Sequence, residues 1–225
     1  MNTLKIFGET ISYEAEDLQL DNVNEITHDD AKDILFTAKK LLDEAGIDFY
    51  LGYGTLLGAI RDKDFIKGDL DVDVYFKDEK TLVKNIDNFK NKGLKLVRAV
   101  PHVLYSFRLN DRCYMDFYVW GKPSMGIWRL YCDRIALRYI PSKLLKNEST
   151  VSFLGGDFKI AGDPIALLTF WYGDTWNTPI GKFEKKYYYE VKSHYYFTKM
   201  QSPLKYLLRK IIGPKRYEAL KSAIR

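Results

Sequence analysis

A glycine-containing segment followed by closely spaced acids constrains this chain more than any other feature of its sequence. Residues 53–61 read Tyr-Gly-Thr-Leu-Leu-Gly-Ala-Ile-Arg, and Asp69, Asp71 and Asp73 follow in a second short segment. Because side chains alternate between the two faces of a strand, the three carboxylates are predicted to share one face of an extended segment. Crowded carboxylates repel one another unless a cation lies among them, and Mg²⁺ prefers oxygen ligands. The pattern therefore predicts a metal-assisted site for a phosphate ester.

The glycine turn has a chemical role of its own in this prediction. Gly54, between a predicted strand and helix, allows the backbone to approach a phosphate, and Thr55 offers a hydroxyl. The first amides of the helix point their partial positive charge toward an anion. Arg61 is a candidate phosphate clamp, because its guanidinium can bind two oxygens at once. The alternative is a surface arginine paired with Asp62 or Asp64.

A later strand-like segment, residues 113–119, carries another candidate ligand. Asp116 lies there between aromatic and apolar neighbours, where burying a carboxylate without a cation or hydrogen bonds costs roughly several kcal/mol. In-line phosphoryl transfer is helped when one ion activates the attacking oxygen and another steadies the leaving group. Asp71, Asp73 and Asp116 are therefore the predicted catalytic and metal-binding acids. The alternative for Asp116 is an edge-strand acid that faces water.

The spacing of apolar residues predicts strands interspersed with helices. The clearest helix extends from the capping residue Thr27 to Gly46, because apolar residues recur between them at helical spacing. An acid followed by proline at 163–164 starts another helix, which ends near residue 172. The last hairpin is predicted to turn at 155–156. Further helices are predicted over 55–61, 82–91 and 185–200, and strands over 47–53, 71–76, 94–100, 104–109, 113–120, 127–132, 135–140, 151–154 and 157–160, after a β-like opening over 1–24.

The composition, 46% hydrophobic and 29% charged over 225 residues, is typical of a soluble globular protein with one main domain. Its two cysteines, Cys113 and Cys132, have no metal-ligand or Cys-x-x-Cys spacing, and the N-terminus lacks a basic region followed by an apolar run. These features favour a cytoplasmic location. No segment is apolar enough to span a bilayer.

Two ordered motifs resemble the signature of a known family. The run 54–61, followed by the acids Asp69, Asp71 and Asp73, looks like the first motif of the LicD/fukutin family of nucleotidyltransferase-fold phosphotransferases. The later run 172–179, which reads Tyr-Gly-Asp-x-Trp-x-x-Pro, is similar to that family's second motif, usually placed after a proline-initiated helix. The resemblance implies an α+β fold, with a nucleotidyltransferase-like mixed β-sheet flanked by helices.

The resemblance also implies an activity and a set of site residues. The implied reaction is an Mg²⁺-dependent transfer, with Mn²⁺ as an alternative ion, of phosphocholine, ribitol phosphate or a similar phosphorylated alcohol. The donor would be CDP-linked and the acceptor a hydroxyl of a glycan or lipid-linked glycan. By position, the resemblance makes Asp71, Asp73 and Asp116 the metal ligands and catalytic acids and places Gly54 and Thr55 at the substrate phosphates. The other residues predicted to bind substrate are Arg61, Asp69, Tyr172, Asp174 and Trp176. Trp176 is the best candidate for aromatic contact with a trimethylammonium group.

The net charge of +5 is concentrated at the C-terminus. Residues 199–225 contain eight Lys or Arg and one acid, so the other 198 residues carry a net charge of −2. We expect a catalytic domain over 1–200 and a basic amphipathic C-terminal helical tail over 201–225. The tail is predicted to contact the anionic inner face of a membrane peripherally, and the alternative is that its apolar stripe packs on the catalytic domain. Nucleic-acid binding is disfavoured, because no aromatic residues of a known module interleave with the charges.

Two other function classes stay open at the level of sequence. A metal-dependent glycosyltransferase also uses an Asp-x-Asp motif to bind metal and nucleotide sugar, although that motif normally follows a longer nucleotide-binding unit than the 70 residues that precede Asp71. A nucleotide-binding protein without turnover is the second alternative. Segment 62–68 keeps this alternative open, because it has Asp62 where the resembled family commonly has a basic residue and Lys67-Gly68 where that family commonly has Pro-Trp. The intact acids Asp71, Asp73 and Asp116 argue against it.

Overall fold

The computed structural model of the protein describes residues 1–16, 18, 26–111, 113–120, 130–133 and 138–179. The helix predicted over 185–200, the tail over 201–225 and the boundary between the two predicted domains lie outside these residues. In chain order the elements are β1 (Asn2–Ile6), β2 (Glu9–Tyr13), α1 (His28–Glu44), β3 (Phe49–Leu51), α2 (Tyr53–Arg61), β4 (Val72–Phe76), α3 (Glu79–Asn91), β5 (Lys95–Val100), β6 (Leu104–Arg108), β7 (Tyr114–Val119), β8 (Leu130–Asp133), β9 (Arg138–Pro141), a 3₁₀ helix (Ser142–Leu145), β10 (Ser149–Phe153), β11 (Gly156–Ile160) and α4 (Pro164–Tyr172).

A five-stranded sheet with the strand order β3-β4-β7-β6-β5 forms the centre of the fold. β4 and β7 run parallel, whereas the other neighbouring strands run antiparallel. The remaining described strands pair as three two-stranded antiparallel sheets, β1-β2, β8-β9 and β10-β11. A mixed sheet with flanking helices is the α+β architecture that the sequence predicted.

The two faces of the central sheet differ in chemistry. On one face Phe76, Phe107 and Phe117 pack edge to face with ring centroids 4.9–6.1 Å apart, and Phe89 of α3 packs against Phe107. Removing such side chains from water stabilises a fold by roughly 1.5–3 kcal/mol each. A slip of one residue in β4 would turn Asp73 into this apolar layer, so the aromatic packing fixes the register of the opposite, polar face.

Several predicted element ends are confirmed by capping contacts. The Thr27 hydroxyl oxygen accepts a hydrogen bond from the amide of Asp30 (3.1 Å) at the start of α1. Asp163 accepts from the amide of Ala166 (2.8 Å), and Pro164 follows it as the first residue of α4. These side chains satisfy amides that have no partner within the helix.

Other predicted boundaries were wrong, each for a local reason. β3 is shorter than the predicted strand 47–53, because the chain leaves α1 through Gly46, with φ of +69°, and Gly52 already caps α2. α3 begins at Glu79 rather than at residue 82, because the Asp78 side chain caps it by accepting from Thr81 (3.0 Å). The 3₁₀ helix over 142–145 was not predicted.

The last hairpin turns one residue earlier than predicted. Phe153 pairs with Gly156, so the two-residue turn consists of Leu154 and Gly155. Both have positive φ, +54° and +90°, as a turn matching the twist of a hairpin requires. Gly156 instead lies in β11.

Candidate active site

A row of polar side chains crosses the central sheet on the face opposite the phenylalanines. The register pairs Arg98 of β5 with Ser106 of β6, Ser106 with Asp116 of β7, and Asp116 with Asp73 of β4. Residues paired in this way project from the same face of a sheet. Four strands therefore contribute one polar residue each to a single line, although the four positions are far apart in the sequence.

The three predicted metal-binding acids come together at this row. One carboxylate oxygen each from Asp71, Asp73 and Asp116 lies within 4.8 Å of the other two. Asp73 and Asp116 are buried, with 7% and 3% of their surface exposed, and Asp71 is half-buried just before β4. A buried set of three carboxylates is an oxygen-only donor set, which suits a hard divalent cation such as Mg²⁺ or Mn²⁺.

Asp69 is placed differently from the expectation of one shared strand face. β4 begins at Val72, and Asp69 lies before it in a turn where its amide donates to the carbonyl of Ile66 (3.1 Å). Its Oδ1 accepts from the amide of Leu70 (3.1 Å). The preceding Gly68 has φ of +81°, so the chain cannot be extended through this segment. Asp69 nevertheless acts electrostatically on Asp71 and Asp73.

The start of α2 is attached directly to β4 by two hydrogen bonds. The amide of Gly54 donates to Oδ2 of Asp73 (3.3 Å), and the amide of Asp73 donates to the Thr55 hydroxyl oxygen (2.8 Å). The Thr55 side chain is buried. Both residues therefore hold Asp73 in position, and their predicted contact with substrate phosphates stays a prediction.

Two glycines of the first motif lie where a Cβ would approach neighbouring atoms closely, and neither has the positive φ that favours glycine. A Cβ on Gly54 would lie 2.7 Å from Oδ2 of Asp69, and a Cβ on Gly58 would lie 2.4 Å from the backbone oxygen of Asp64. Real Cβ atoms do not approach other heavy atoms so closely. Gly54 thus leaves room for the carboxylates, and Gly58 lets the segment before them pack against α2.

Among the described residues, no cation forms an ion pair with Asp71 or Asp73 on the β4 side. Burial raises the pKa of Asp71 to about 7, and the charges of Asp116 and Asp69 add to this rise, whereas the Tyr114 hydrogen bond and the more distant Arg98 charge oppose it. Burial, followed by the charges of Asp71, Asp116 and Asp69, raises the pKa of Asp73 well above its ordinary value. A divalent ion bound among these carboxylates would offset their burial and mutual repulsion, and would favour their ionised forms.

Asp116 has a different environment on the other side of the site. Its Oδ1 accepts from the Ser106 hydroxyl (2.5 Å) and from Nη2 of Arg98 (3.1 Å). Its Oδ2 accepts from the same Nη2 (2.8 Å) and from the Tyr118 hydroxyl (3.4 Å). Burial raises the pKa of Asp116, but the Arg98 charge and the hydrogen bonds from Ser106, Arg98 and Tyr118 oppose the rise.

Sequence reasoning missed the four side chains that support the carboxylates. Arg98 had one readable signal, since it is a cation inside a strand-like run of apolar residues. The roles of Ser106, Tyr114 and Tyr118 depend on which strands are neighbours and in which register, and a single sequence does not contain that information. Tyr118 also forms a hydrogen bond with Asp73, so one hydroxyl contacts carboxylates of both β4 and β7.

The predicted phosphate clamp Arg61 is engaged with its neighbour. Its Nε and Nη2 donate to the two carboxylate oxygens of Asp62 at 2.8 and 2.7 Å. This bidentate pair is the alternative that the sequence left open. The hydrogen bond with Asp62, opposed by partial burial, raises the pKa of Arg61, and the charge of Tyr172 contributes in the same direction.

The second motif is brought to the same face of the sheet by α4. The ring of Trp171, one residue before the motif, stacks on Tyr75 of β4 with centroids 5.8 Å apart and an angle of 17°. Gly173, with φ of +87°, ends the helix, and the Trp176 amide closes the following turn on the Gly173 carbonyl (3.3 Å). Asp174 lies within this turn, and Trp176 packs on the core.

The sequence over residues 46–158, half of the chain, matches the family model described as LicD/FKTN/FKRP, nucleotidyltransferase domain. The protein belongs to this family. Membership supports a transferase of the phosphotransferase or nucleotidyltransferase type, and the acidic cluster lies within the matched residues. No curated protein sequence matches the chain significantly.

Comparison with solved structures gives similarities at low sequence identity. The lincomycin-bound lincosamide antibiotic adenylyltransferase LnuA is 14% identical, with a TM-score of 0.47 over 76% of this chain and 99% of that chain. The antibiotic-resistance factor ANT(2'')-Ia is 12% identical, with a TM-score of 0.46 over 88% and 93% of the two chains. An antigenic nucleotidyltransferase-like protein from Paracoccidioides brasiliensis is 15% identical, with a TM-score of 0.43 over 88% and 94%. Nothing about substrates follows from likenesses of this size.

In the part of the chain that the structure describes, none of the helices has the length and apolar character needed to cross a membrane.

Proposed function

We propose that the protein is a Mg²⁺-dependent phosphotransferase that moves a phosphorylated alcohol from a CDP-linked donor to a glycan hydroxyl. The alcohol would be choline, ribitol or a similar molecule, and the acceptor a glycan or lipid-linked glycan. The observation that carries the proposal is the convergence of Asp71, Asp73 and Asp116 within 4.8 Å of one another, inside the segment that matches the family.

The three carboxylates would hold the divalent ion in this reaction. A bound Mg²⁺ neutralises charge on the phosphate oxygens and steadies the leaving group. The acceptor hydroxyl oxygen forms a bond to the donor phosphorus, the bond from that phosphorus to the CMP oxygen breaks, and CMP leaves. The hydroxyl proton passes to a site carboxylate or to water. Asp73 is held for this task by the Gly54 amide and the Thr55 hydroxyl.

The substrate contacts in this proposal come from both motifs. The first turn of α2, with Gly54 and Thr55, lies beside the carboxylates and would direct the positive end of its dipole toward the phosphates of a bound donor. The Arg61 guanidinium would release the Asp62 carboxylate and bind a donor phosphate instead. Asp69 would face the donor. Tyr172, Asp174 and Trp176 would contact the substrate from the end of α4.

A ligand screen tests the proposed donor class. Thermal unfolding would be measured with CDP-choline, CDP-ribitol, CDP-glycerol and nucleotide sugars, each with Mg²⁺ and with EDTA, because a ligand that binds the native state raises its stability. A shift with one CDP-alcohol, dependent on Mg²⁺, supports the proposal. A shift with nucleotide sugars alone would point to the glycosyltransferase alternative. Binding without release of CMP in the presence of glycan acceptors would point to a protein without turnover.

The proposed partner of the basic residues 201–225 is an anionic membrane surface. Their charge would bring the catalytic domain to lipid-linked acceptors at the inner face of the membrane. Sedimentation with vesicles containing anionic lipid, compared with neutral vesicles and with a chain ending at residue 200, tests this. Equal sedimentation of both chains would contradict the assignment.

A further inference from the structure

The acceptor positions of the Asp116 carboxylate are already occupied by side chains. Oδ1 accepts hydrogen bonds from Ser106 and Arg98, and Oδ2 accepts one from Arg98 and lies 3.4 Å from the Tyr118 hydroxyl, whose single proton it shares with Asp73. An ionised carboxylate offers about four such positions. An ion that used Asp116 as a full ligand would have to displace one of these donors, and the Tyr118 contact, at 3.4 Å, is the weakest of them.

The Arg98 guanidinium is placed as part of the fold. Arg98 lies at an irregularity in β5, where the register with β6 shifts between Leu96 and Arg98. Its Nε donates to Ser106 (2.8 Å) while its Nη2 contacts both oxygens of Asp116. A bulge of this kind re-aims a side chain along the strand. Ser106 is fully buried between the two residues, so the line Arg98–Ser106–Asp116 is tied together by direct contacts.

Among the described residues, no cation contacts Asp71 or Asp73 as Arg98 contacts Asp116, although the charge of Arg98 also lowers the pKa of Asp71. The Gly54 amide and the Tyr118 hydroxyl contact Asp73, and the Tyr114 hydroxyl contacts Asp71. These donors are neutral. In the described chain the ion pair at 2.8 Å between Arg98 and Asp116 is the one that reaches the three clustered carboxylates.

We propose that Arg98 is a built-in cation that takes the place of a second metal ion, so that the site binds one divalent ion, held chiefly by Asp71 and Asp73. Two-metal sites place their ions about 3.5–4 Å apart and share carboxylates between them. The guanidinium already contacts both oxygens of the only carboxylate that β7 contributes among the described residues of the site. Arg98 is thus a positioning residue for Asp116 and sets the number of ions. The inference rests on the proposed function, because it assumes that a divalent ion binds the cluster.

Counting Mn²⁺ ions tests the inference without measuring activity. Free Mn²⁺ would be followed by electron paramagnetic resonance as it is titrated into the full-length protein with CDP present. We expect one bound ion per wild-type chain. Two ions in the wild-type protein would overturn the inference and leave the proposed function intact. No binding at all would overturn the metal site itself, and with it both proposals.

Substitutions of Arg98 test whether this residue sets the number of bound Mn²⁺ ions. Arg98→Met keeps most of the length and removes the charge, so we expect Mn²⁺ to bind at least about fivefold more tightly, or a second ion to bind. Arg98→Lys keeps the charge and should retain one ion with an affinity within about twofold of wild type. Lys77→Met, at the residue after β4, is the matched control for loss of a positive charge, and the affinity of this variant for Mn²⁺ should not change.

Weaker or unchanged Mn²⁺ binding by Arg98→Met would overturn the inference, because Arg98 would then only orient Asp116 for the ion. Circular dichroism and thermal unfolding of each variant establish that it is folded. If Arg98→Met does not fold, the wild-type count and the Arg98→Lys count still decide, since two ions in either protein contradict the proposal.

Discussion

The two sides of the acidic cluster differ in how the negative charge of their buried carboxylates is compensated. On the β4 side, Asp71 and Asp73 are crowded and partly or fully buried, and the hydrogen-bond donors that contact them among the described residues are neutral. On the β7 side, Asp116 is equally buried but receives an arginine and a buried serine from the neighbouring strands. The protein thus supplies a cation of its own to one side and leaves the other side dependent on an external one.

This difference shows that the groups around a buried carboxylate determine whether it serves mainly as a metal ligand or mainly as a support for the site. The free energy of a buried carboxylate depends on whether charge and hydrogen bonds compensate its desolvation. Where an arginine and hydrogen bonds compensate more of the desolvation, as at Asp116, a metal ion gains less from binding. Where less is compensated, as at Asp71 and Asp73, the repulsion among the buried carboxylates favours ion binding.

The largest expected effect comes from removing an uncompensated carboxylate. Asp73→Asn should lower turnover by at least about a thousandfold, because the variant loses a ligand of the ion that stabilises the transferring phosphate. The metal-free variant should nevertheless be more stable than wild type by about 1–3 kcal/mol, since a buried charge has been replaced by a neutral amide. Donor turnover and denaturation in EDTA measure the two effects. Asp87→Asn, an exposed residue of α3, is the control and should change neither.

Removing the positive charge of Arg98 should lower the stability of the metal-free protein, whereas Asp73→Asn should raise it. Arg98→Met leaves Asp116 buried without its partner, so the metal-free protein should lose roughly 2–4 kcal/mol of unfolding free energy. Mn²⁺ should restore part of this loss by supplying a positive charge. Urea denaturation with and without Mn²⁺ measures it. A variant as stable as wild type in EDTA would show that the two sides of the cluster do not differ in the way described.

The pH dependence of stability gives a third comparison. The pKa of Asp71 is raised to about 7 from an ordinary value of 3.8, so the folded protein binds more protons than the unfolded chain between these values. The metal-free protein should therefore lose stability as pH rises toward 7, by about 2–3 kcal/mol between pH 5 and pH 7. Saturating Mg²⁺ should flatten this slope, and so should Asp71→Asn. A metal-free stability that rises over this range would have the wrong sign for the account.

The smallest effect on stability and turnover is expected from substitution of Gly54, which leaves space for the neighbouring carboxylates. In Gly54→Ala the new Cβ would meet the Asp69 carboxylate, 2.7 Å away, which is the movable end of a side chain. We expect a loss of stability below about 1 kcal/mol and a fall in turnover of about tenfold, as the Asp69 carboxylate shifts. A double-mutant cycle with Asp69→Ala checks the cause, because the effect of Gly54→Ala should become smaller when the carboxylate is absent.

Much of this fold was readable from the sequence, because the informative signals are local. The cap at Thr27, the acid and proline at 163–164 and the alternation of apolar residues in β4 and β7 each act over a few residues. The three metal-binding candidates were also identified, since carboxylates among buried residues are rare without a compensating partner. The strand predicted over 71–76 is present as β4, but the expectation that Asp69 shares an extended face with Asp71 and Asp73 was wrong, because Gly68 turns the chain before β4 begins.

What the sequence could not supply was the supporting set around the acids. Ser106 becomes important only because β6 lies between β5 and β7, and Arg98 reaches Asp116 only through an irregularity in the β5 register. Strand order and register depend on packing of the whole sheet rather than on neighbouring residues. The sequence alone therefore did not show that Asp116, unlike Asp71 and Asp73, is paired with an arginine of the same sheet.

Calorimetric titration of CDP into wild type and Asp73→Asn, with Mg²⁺ and with EDTA, tests the central claim most directly. If Asp71, Asp73 and Asp116 form a metal centre for a CDP-linked donor, Mg²⁺ should raise the affinity of the wild-type protein for CDP by at least about tenfold, and the Asp73→Asn variant should lose this dependence. Equal CDP affinity in Mg²⁺ and EDTA for the wild-type protein, or an undiminished Mg²⁺ dependence in Asp73→Asn, would contradict it.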